Sequence, residues 1–591
     1  MHRRARLGLT IVVLLAWAGG AAAAPFLTGV VEGYYGRPWT GEARREVIGF
    51  LGRYDMNTFV YGPKNDTYHR DQWRVPYPQT ELDDLAATAK HARQAGVQFV
   101  YALSPALDIC YACAEDTRAL RRKLRQLVRA RVKRFALFFD DAPTTLSHPE
   151  DIARYGSSGS DALARAQAEL VRRTSTWLAR RTRKRLAFMV PTDYFGTACS
   201  PYLDALDDAL PRTMPVGWTG TAVVPATVTA EEATLRRGCV GNRPLVLWDN
   251  YPVNDAILSS NLHLGPLTGR AGDLGDALGG GHLLNPMTQA RASLVALGTA
   301  AAYFASPLGY DPEAAWRTAL TDLAPAGTLD VLAEQTRSSG LDLDDARPLA
   351  AIVDDLEARY AGGDWSHGVS ALATETLRQR TAALALGELD LLPLATEVAP
   401  WAAEMRDHAT EGIQSAELLA AMKPSFDGVQ FVSVGGESRL VGHIAYPDEP
   451  TANSLGAVLS VPRVPPTFGE LQTCLGPLLT PEIGFCPELG LNVHGKELYL
   501  VLGNPLALVT GRNQHERLMA FVAAAYLDWA ERQMPVDTIT LAIDGVDTPL
   551  TPSNDFDVPA APEGPIRLVA TTEAGDATAL VCASSTCGPP E

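Results

Sequence analysis

The chain has 591 residues, enough for about two to four domains with large cores, and its 46% hydrophobic and 20% charged residues are ordinary for globular proteins. The formal net charge of −17 argues against nucleic acids and anionic membrane surfaces as partners, and it favours a neutral over a strongly anionic polymer as substrate. A local basic groove could override this preference.

The first predicted element is a secretory signal peptide over residues 1–24. A positive segment with three arginines precedes an apolar run from Leu7 to Trp17, and the alanines at 21–24 offer cleavage sites. The apolar run is too short to span a bilayer comfortably, which makes an uncleaved anchor the weaker alternative. We therefore expect export to the periplasm or the extracellular space, with no membrane segment in the mature protein.

Eight cysteines in an exported chain suggest disulfide bonds. The candidate pairs are Cys199 with Cys239, Cys474 with Cys486, and Cys582 with Cys587. Cys110 and Cys113 form a CxxC motif, but it follows a strand in a loop and lacks a thioredoxin context. No second CxxC lies at zinc-finger spacing, so a structural zinc is not expected. No cofactor is expected either.

Strand-like and helix-like patterns alternate over residues 25–310. Strands are predicted at 26–31, 58–61, 97–103, 135–139, 186–190, 215–218, 245–248 and 282–284. Helices are predicted at 42–54, 82–92, 117–131, 160–181, 202–210 and 289–304, with one more opening after Thr229. The Thr229 hydroxyl and Glu232 fit a capping box at that helix start. Eight strand–helix alternations predict an α/β fold, a (β/α)8 TIM barrel, as the catalytic domain.

The fourth strand, Phe135 to Phe139, runs directly into two adjacent carboxylates, Asp140 and Asp141. Side chains alternate along a strand, so the pair can share a pocket only where the regular strand ends. In a (β/α)8 barrel that end is the catalytic face. One carboxyl would then resist ionisation and donate a proton near neutral pH while its neighbour stays charged. A helix N-cap or a solvated turn is the alternative.

Polar and aromatic side chains follow nearly every predicted strand, where they should converge on one pocket. Trp and Tyr can stack on the apolar face of a sugar, while carboxylates and amides bind its hydroxyl groups. Each residue alone could be a loop residue or a cap, but together they predict a polyol-binding pocket. The set comprises Lys64, Asn65, Asp66, Asp140, Asp141, Asp193, Tyr194, Trp218, Asp249, Asn250, Asp255 and Asn285.

Seven sequence blocks, collinear over about residues 26–305, carry a resemblance to a known family. They are GVVEGYYGRPW at 29–39, YGPKND at 61–66, YALSPALDI at 101–109, FALFFDDAP at 135–143, PTDYFGT at 191–197, WDNYPVND at 248–255, and Asn285-Pro286. With these blocks the chain resembles glycoside hydrolase family 84, which contains the O-GlcNAcase and hyaluronidase-type β-N-acetylglucosaminidases. Bacterial members often carry an α/β domain before the barrel, whereas here the barrel is expected to follow the signal directly.

The resemblance implies a retaining mechanism in which the 2-acetamido group of the substrate is the nucleophile and forms an oxazoline intermediate. Asp140 would orient the acetamido N–H, and Asp141 would act as general acid and then as general base. The resemblance also assigns substrate-binding positions. They are Gly33 and Lys64 for ring hydroxyls, Tyr194 and Asn250 for the acetamido group, Trp218 and Trp248 as walls, and Asp255 and Asn285 for the 4- and 6-hydroxyls.

Each of these substrate-binding positions has a structural alternative. Gly33 could simply allow a tight turn, Lys64 could be a solvated loop charge, and either tryptophan could fill the barrel core.

Helical patterns follow the barrel over residues 311–424 and predict a helical bundle domain. Asp311 fits an N-cap with Pro312 at the first helical position. Apolar residues recur at helical spacing in Leu349, Ile352, Leu356 and Tyr360, and at heptad intervals in Leu377, Leu384 and Leu391. Residues 425–591 are expected to form a mixed or β-rich accessory module, with strands at 498–502, 538–543 and 566–584 and a helix at 514–533.

The favoured function is hydrolysis of terminal β-linked GlcNAc from a glycan or glycoprotein, with no nucleic acid partner and an oligomeric state that could be dimeric. One rival is a metal-dependent hydrolase with Asp140, Asp141, Asp249 and Asp255 as oxygen ligands. No His pair lies at metal spacing near these positions, which argues against it. The other rival is an inactive glycan-binding barrel.

Overall fold

The computed structural model describes residues 25–255, 261–337, 346–360, 365–388 and 393–421, together with strands and short helical stretches between 429 and 582. The first eight strands are β1 Leu27–Glu32, β2 Thr58–Tyr61, β3 Gln98–Leu103, β4 Arg134–Phe138, β5 Met189–Val190, β6 Val216–Trp218, β7 Leu245–Asp249 and β8 Gly279–Leu284. They pair in parallel in chain order, and β8 closes onto β1 to form a barrel. The predicted (β/α)8 barrel is therefore confirmed.

Helices surround this barrel: α1 Gly41–Arg53, α2 Gln79–Gln94, α3 Ala114–Arg129, α4 Pro149–Tyr155, α5 Ser160–Thr182, α6 Pro201–Ala209, α7 Ala230–Cys239, α8 Leu274–Leu278 and α9 Ser293–Ala305. The predicted capping box forms, since Thr229 Oγ1 accepts from Glu232 N at 3.2 Å and Glu232 Oε2 accepts from Thr229 N at 2.8 Å. The short helices α4 and α8 were not predicted, and α9 begins at Ser293 rather than Gln289.

The alternation of side chains along β4 divides the core into two layers. Phe135 and Leu137 pack outward against the helices, in the large cluster between strands and helices. Ala136 and Phe138 belong to a second cluster inside the barrel, with Val31, Val60, Val190, Val246 and Trp248. Because successive side chains of a strand point to opposite faces, this assignment fixes which residues after each strand can face the barrel mouth.

The helical region after the barrel consists of α10 Pro312–Leu323, α11 Leu329–Gln335, α12 Arg347–Tyr360, α13 Ser366–Glu388 and α14 Pro393–Ala421. Asp311 is the N-cap of α10, as predicted, and its Oδ1 accepts from the backbone N–H of Glu313 at 3.0 Å. Helix α14 contacts the barrel through Glu397, whose carboxylate accepts from the backbone N–H of Arg291 at 2.7 Å.

The predicted heptad core of α13 is wrong. Leu377 and Leu384 are 58% and 52% exposed, and Leu391 lies outside the described residues. The buried side of α13 instead carries Leu372, Thr376, Gln379, Ala383 and Leu386. Leu377 follows the buried Thr376 by one residue, which is about 100° around a helix and so turns its side chain away from the packed side.

Beyond α14 the backbone forms strands, as expected for a β-rich module. An antiparallel sheet contains β9 Val429–Val434, β10 Glu437–Ile444 and β11 Leu455–Ser460. A larger mixed sheet contains β12 Glu470–Thr473, β13 Leu491–His494, β14 Glu497–Gly503, β15 Val536–Ile543, β16 Val546–Pro549, β17 Ile566–Thr572 and β18 Gly575–Cys582. The strands β14, β15, β17 and β18 fall where the sequence placed them.

Two disulfide bonds form in the described barrel, Cys199–Cys239 as predicted and Cys110–Cys113 within the CxxC motif. The two other predicted pairs involve cysteines whose side chains lie outside the described part of the chain. Within that part, every helix is too short or too polar to cross a membrane.

Candidate active site

A cavity of about 370 Å³ lies at the carboxyl ends of the barrel strands. Its lining residues are Gly33, Tyr35, Lys64, Asp140, Asp141, Val190, Tyr194, Thr219, Val223, Val224, Trp248, Asn250, Val253, Asp255 and Asn285. Of the ten residues to which the resemblance assigns a catalytic or substrate-binding role, nine are in this set and Trp218 is not. Loops after seven different strands therefore bring these side chains together, which is how a (β/α)8 barrel builds its catalytic face.

Asp140 and Asp141 both reach the cavity because the backbone changes conformation between them. Phe138 points into the barrel, so Asp140, two residues later, points to the same side. Asp141 would point outward if the strand continued, but its φ of +49° places it in the left-handed region. This conformation is uncommon for a residue other than glycine, and it turns the second carboxylate toward the same pocket.

The Asp140 carboxylate is buried, and its two oxygens have different surroundings. Oδ2 pairs with the ammonium of Lys64, whose own side chain is only 2% exposed. Oδ1 is buried and has no hydrogen-bond partner in the described structure. Lys64 Nζ also lies 5.3 Å from the ring centroid of Trp248, close enough for a cation–π contact. An unpaired buried acceptor is costly, so Oδ1 is suited to receive a donor from a bound ligand.

Asp141 is more accessible, with a side chain 34% exposed. Its Oδ1 accepts from the hydroxyl of Tyr194 at 2.8 Å, and its Oδ2 accepts from the hydroxyl of Tyr35 at 3.0 Å. Lys64 Nζ lies 3.8 Å from Oδ2, and Arg70 donates to the Asp141 backbone carbonyl at 2.7 Å.

These neighbours decide the ionisation of Asp141. Burial raises the pKa of its carboxyl, but Lys64, the two tyrosine hydroxyls and Arg70 outweigh burial and hold the pKa below its ordinary value. The sequence expectation that the acid of the pair resists ionisation is therefore wrong for Asp141 without a ligand. The cations and donors follow other strands, so the local sequence around the pair does not contain them.

Trp248 forms one wall of the cavity, and Gly33 is required beside it. A Cβ at position 33 would lie 2.1 Å from Cζ2 of the indole, so any larger residue would displace the ring. The indole N–H of Trp248 donates to Asn250 Oδ1 at 2.9 Å, which also accepts from Asn285 Nδ2 at 2.9 Å. Asn285 Oδ1 in turn accepts from the Gly33 N–H at 3.1 Å. This chain of hydrogen bonds fixes the orientation of two amides facing the cavity.

Asp255 also lines the cavity. Its Oδ2 accepts from the backbone N–H of Tyr35 at 2.7 Å. Burial raises the pKa of the Asp255 carboxyl, and the nearby Asp141 adds to this effect, while the N–H of Tyr35 and the charge of Lys64 oppose it.

Trp218, predicted as a wall of the pocket, does not line it. Val216 and Trp218 pack outward in the layer between strands and helices, and the fully buried indole donates to the backbone carbonyl of Gly196 at 2.9 Å. The next residue, Thr219, faces the cavity instead. The alternation along β6 thus makes the tryptophan a core residue.

Asp249 is also placed outside the cavity by alternation. It is fully buried, and its Oδ2 accepts from Arg270 Nε at 2.8 Å and lies 2.7 Å from His282 Nε2. Burial raises the pKa of the Asp249 carboxyl, but Arg270 and His282 outweigh burial and lower it strongly. Asp249 is therefore part of a buried ion cluster of the barrel wall.

Three other polar residues grouped with the pocket in the sequence stabilise loops. Asp66 Oδ2 accepts from the hydroxyls of Tyr61 and Tyr77 at 2.6 and 2.5 Å. Asn65 Oδ1 accepts from the Gly36 N–H at 3.1 Å. Asp193 accepts from the Ser200 hydroxyl at 2.6 Å and pairs with Arg236.

The four aspartates of the metal-site alternative do not form a ligand set. The carboxylate of Asp249 is paired with Arg270 and His282, and the carboxylate of Asp140 is paired with the ammonium of Lys64. These oxygens already have cationic partners. In the described part of the chain, one close group of ligand-type side chains occurs elsewhere, Cys110 with His148 and Glu150, and its cysteine is in a disulfide. A lysine between two carboxylates suits an anion-stabilising site better than a divalent cation.

Six lining residues were missed from the sequence: Tyr35, Val190, Thr219, Val223, Val224 and Val253. Tyr35 lies in the first sequence block and hydrogen-bonds Asp141, and its place in that block is the signal that could have found it. The valines and Thr219 carry no chemical signal of their own. For Val190 and Thr219, the inward alternation of β5 and β6 is the signal that could have found them.

Comparisons with known proteins identify the family of the barrel domain. A family model described as beta-N-acetylglucosaminidase matches residues 28–335, which is just over half of the chain and includes every lining residue of the cavity. The O-GlcNAcases of Rattus norvegicus and Mus musculus are each 35% identical to this chain over 295 residues. The matched segment covers 49% of this chain and 31% of each relative. The chain thus spans less than a third of the length of these curated relatives.

Two solved structures are similar to this chain in fold and sequence. A mutant of the Thermobaculum terrenum O-GlcNAc hydrolase is similar with a TM-score of 0.62 and 29% identity, covering 67% of this chain and 84% of that one. A structure described as CpGH84B is similar with a TM-score of 0.59 and 29% identity, covering 67% of this chain and 69% of that one.

Proposed function

The chain belongs to the beta-N-acetylglucosaminidase family, glycoside hydrolase family 84, and we propose that it hydrolyses terminal β-linked GlcNAc from glycoconjugates with retention of configuration. The observation that carries the proposal is the pairing of two unlike carboxylates in one cavity. Asp140 presents a buried, unpaired acceptor oxygen, and Asp141 presents a partly exposed carboxyl beside it. The first suits an amide N–H, and the second can exchange a proton with a leaving group or a water molecule.

In the first step the carbonyl oxygen of the 2-acetamido group attacks the anomeric carbon, and the bond to the leaving oxygen breaks. Asp140 Oδ1 accepts the acetamido N–H, which orients the nucleophile and stabilises the positive charge that develops on the amide. Asp141 transfers its proton to the departing oxygen. The product of this step is an oxazoline protonated at nitrogen, an oxazolinium ion, in which the ring is closed by the substrate's own oxygen. The N–H proton stays on nitrogen, hydrogen-bonded to the Asp140 carboxylate, and remains there when the ring opens.

In the second step a water molecule attacks the anomeric carbon and the oxazoline ring opens. Asp141, now a carboxylate, accepts the proton of the water. Its lowered pKa in the free site keeps Asp141 in the carboxylate form that can accept a proton. For the first step it needs a proton, and we expect substrate binding to complete the burial of this carboxyl, which raises its pKa and promotes proton uptake.

The remaining lining residues hold the sugar. Asn285 and Asp255 are suited to hydrogen-bond hydroxyl groups at one side of the sugar ring, and Lys64 and the Gly33 backbone are suited to hydrogen-bond other hydroxyl groups. The Trp248 ring offers an apolar surface for the sugar. Tyr194 and Asn250 suit the acetamido group. We propose these assignments on the positions of the side chains around the cavity.

The test of the proposed function compares an aryl β-GlcNAc with the matching aryl β-glucoside. We expect rapid hydrolysis of the first and little or none of the second, because the glucoside lacks the attacking acetamido oxygen. Activity should persist in EDTA, which separates this mechanism from a metal-dependent hydrolase. Comparable hydrolysis of the glucoside would contradict acetamido participation, and binding without turnover would indicate an inactive glycan-binding barrel.

Tyr35→Phe is expected to shift the basic limb of the kcat/KM–pH profile to higher pH. The Tyr35 hydroxyl donates to the charged form of Asp141 and so lowers its pKa; removing that donor raises the pKa, and kcat/KM reports the free enzyme. Tyr54→Phe is the matched control, since Tyr54 is similarly exposed at 37% but hydrogen-bonds Asp322 outside the cavity. An unshifted Tyr35→Phe profile would contradict the assignment of that limb to Asp141.

We further propose that residues 1–24 direct export of the protein to the periplasm or the extracellular space. The positive segment, the apolar run and the small residues after it support this proposal. A protein retained in the cytoplasm, or one that keeps these residues after export, would contradict it.

A further inference from the structure

The negative charge of the chain is unevenly distributed. No acidic residue occurs between Asp116 and Asp140, a stretch with nine Lys and Arg residues, and none occurs between Glu169 and Asp193, a stretch with seven. The first stretch covers most of α3 and the strand β4, and the second covers the second half of α5 and the strand β5. A chain of net charge −17 therefore contains two long segments that are purely cationic.

The two segments lie side by side in the structure. Strands β3, β4 and β5 are consecutive in the barrel, so the helices that follow β3 and β4 are neighbours in the outer ring. Arg173 on α5 lies 3.4 Å from the hydroxyl of Thr117 on α3, and Arg134 donates to the backbone carbonyl of Arg185 at 3.4 Å. Both helices end at the amino-terminal face of the barrel, opposite the cavity.

We define the basic face as the exposed cations at these two helix ends. Those of α3 and its following loop are Arg125, Arg129, Arg131 and Lys133. Those of α5 and its following loop are Arg180, Arg181, Arg183, Lys184 and Arg185. Within the described residues none of them forms a salt bridge, in contrast to Arg154 and Arg173, which share Glu169.

This number of cations exceeds what is needed to complement the dipoles of the two helices. One or two cations at a helix C-terminus complement its dipole, and a soluble surface usually intersperses both signs. Nine exposed cations on two segments that contain no acidic residue instead generate a positive field over two helix ends and two loops.

We propose that the basic face docks on an anionic phospholipid bilayer, with the cavity directed away from the membrane. The cations are spread over two adjacent helix ends and do not line the active-site cavity, so they suit a planar array of charges rather than a single small anion. The large exposed hydrophobic residues of the described chain all lie outside the two cationic segments, so binding is electrostatic and peripheral without insertion. The absence of exposed aromatic residues from this face also disfavours single-stranded nucleic acid, which is bound by stacking.

The proposal revises the expectation drawn from net charge. Exposed charges act over about one Debye length, roughly 10 Å at 0.1 M salt, so a membrane near the basic face is influenced by that face more than by the distant acidic surface. Net charge alone therefore does not exclude an anionic membrane surface as a partner.

The test is co-sedimentation of the full chain with vesicles of phosphatidylcholine alone or mixed with phosphatidylglycerol. We expect binding to the anionic vesicles at about 0.1 M salt and its loss near 1 M, where the Debye length falls to about 3 Å. Lys133→Glu with Lys184→Glu should weaken this binding by at least about tenfold. The matched control is Arg317→Glu with Arg380→Glu, which makes the same charge change at exposed sites on α10 and α13 and should leave binding within about twofold.

Thermal unfolding of both variants shows whether they fold. Lys133 and Lys184 make no described side-chain contact with an acid, so the unfolding temperatures should match that of the unaltered protein. Equal binding to neutral vesicles, equal loss in the control variant, or unchanged binding in the Lys133–Lys184 variant would overturn the proposal. Binding to a soluble polyanionic polysaccharide but not to anionic vesicles would also overturn it. None of these results depends on the glycosidase activity.

Discussion

Asp141→Asn is expected to lower hydrolysis of β-GlcNAc glycosides with poor leaving groups by about 10²–10⁴-fold, while aryl glycosides with good leaving groups lose much less in the bond-breaking step. The asparagine can accept hydrogen bonds from Tyr35 or Tyr194, as the aspartate does, but it has no proton to transfer. A leaving group that is stable as an anion needs no proton, and so it bypasses the missing acid.

The measurement is kcat/KM for a series of aryl β-GlcNAc substrates of graded leaving-group pKa. The plot should be much steeper for Asp141→Asn than for the unaltered protein, and the basic limb of the pH profile should disappear. Asp255→Asn is a useful comparison, because it removes a carboxylate from the same cavity and should raise KM without changing the dependence on the leaving group. An equal loss on all substrates in Asp141→Asn would contradict its role as the acid.

The sequence predicts the barrel and most of the cavity because both depend on local patterns. Eight short apolar runs separated by amphipathic segments identify the strands, and polar residues after each strand locate the catalytic face. The errors at Trp218 and Asp249 share one cause. Each is the last residue of its strand and points outward, and the residue that follows it, Thr219 or Asn250, lines the cavity. Counting alternate positions from the inward residues would have separated them.

Long-range pairing could not be predicted from the local pattern. Asp249 is bound by Arg270 and His282, which are 21 and 33 residues away in sequence. The lowered pKa of Asp141 depends on Lys64 and two tyrosines contributed by other strands. Adjacency suggests repulsion between two carboxylates, but the structure places an ammonium against both of them. Similarly, the heptad leucines of α13 fit a helical period without showing which side of the helix is packed.

Asp140→Asn is expected to lower kcat by about 10²–10³-fold for good and poor leaving groups alike. The two oxygens of Asp140 face different partners, the ammonium of Lys64 at Oδ2 and the unpaired side of the cavity at Oδ1. An asparagine must place its NH2 group toward one of them. If the NH2 faces Lys64, two donors meet there; if it faces the cavity, it opposes the acetamido N–H of the substrate. Either orientation weakens the positioning of the internal nucleophile.

Because this loss concerns the nucleophile and not the leaving group, it should be independent of leaving-group pKa, which distinguishes Asp140→Asn from Asp141→Asn in the same substrate series. Thermal unfolding must accompany the kinetics, since removing one member of a buried ion pair costs about 3–5 kcal/mol in other proteins. A folded Asp140→Asn protein that hydrolyses activated aryl β-GlcNAc at the normal rate would show that the buried oxygen does not orient the acetamido group. The attack would then need no guidance from the neighbouring carboxylate, and the division of roles between the two acids would be lost.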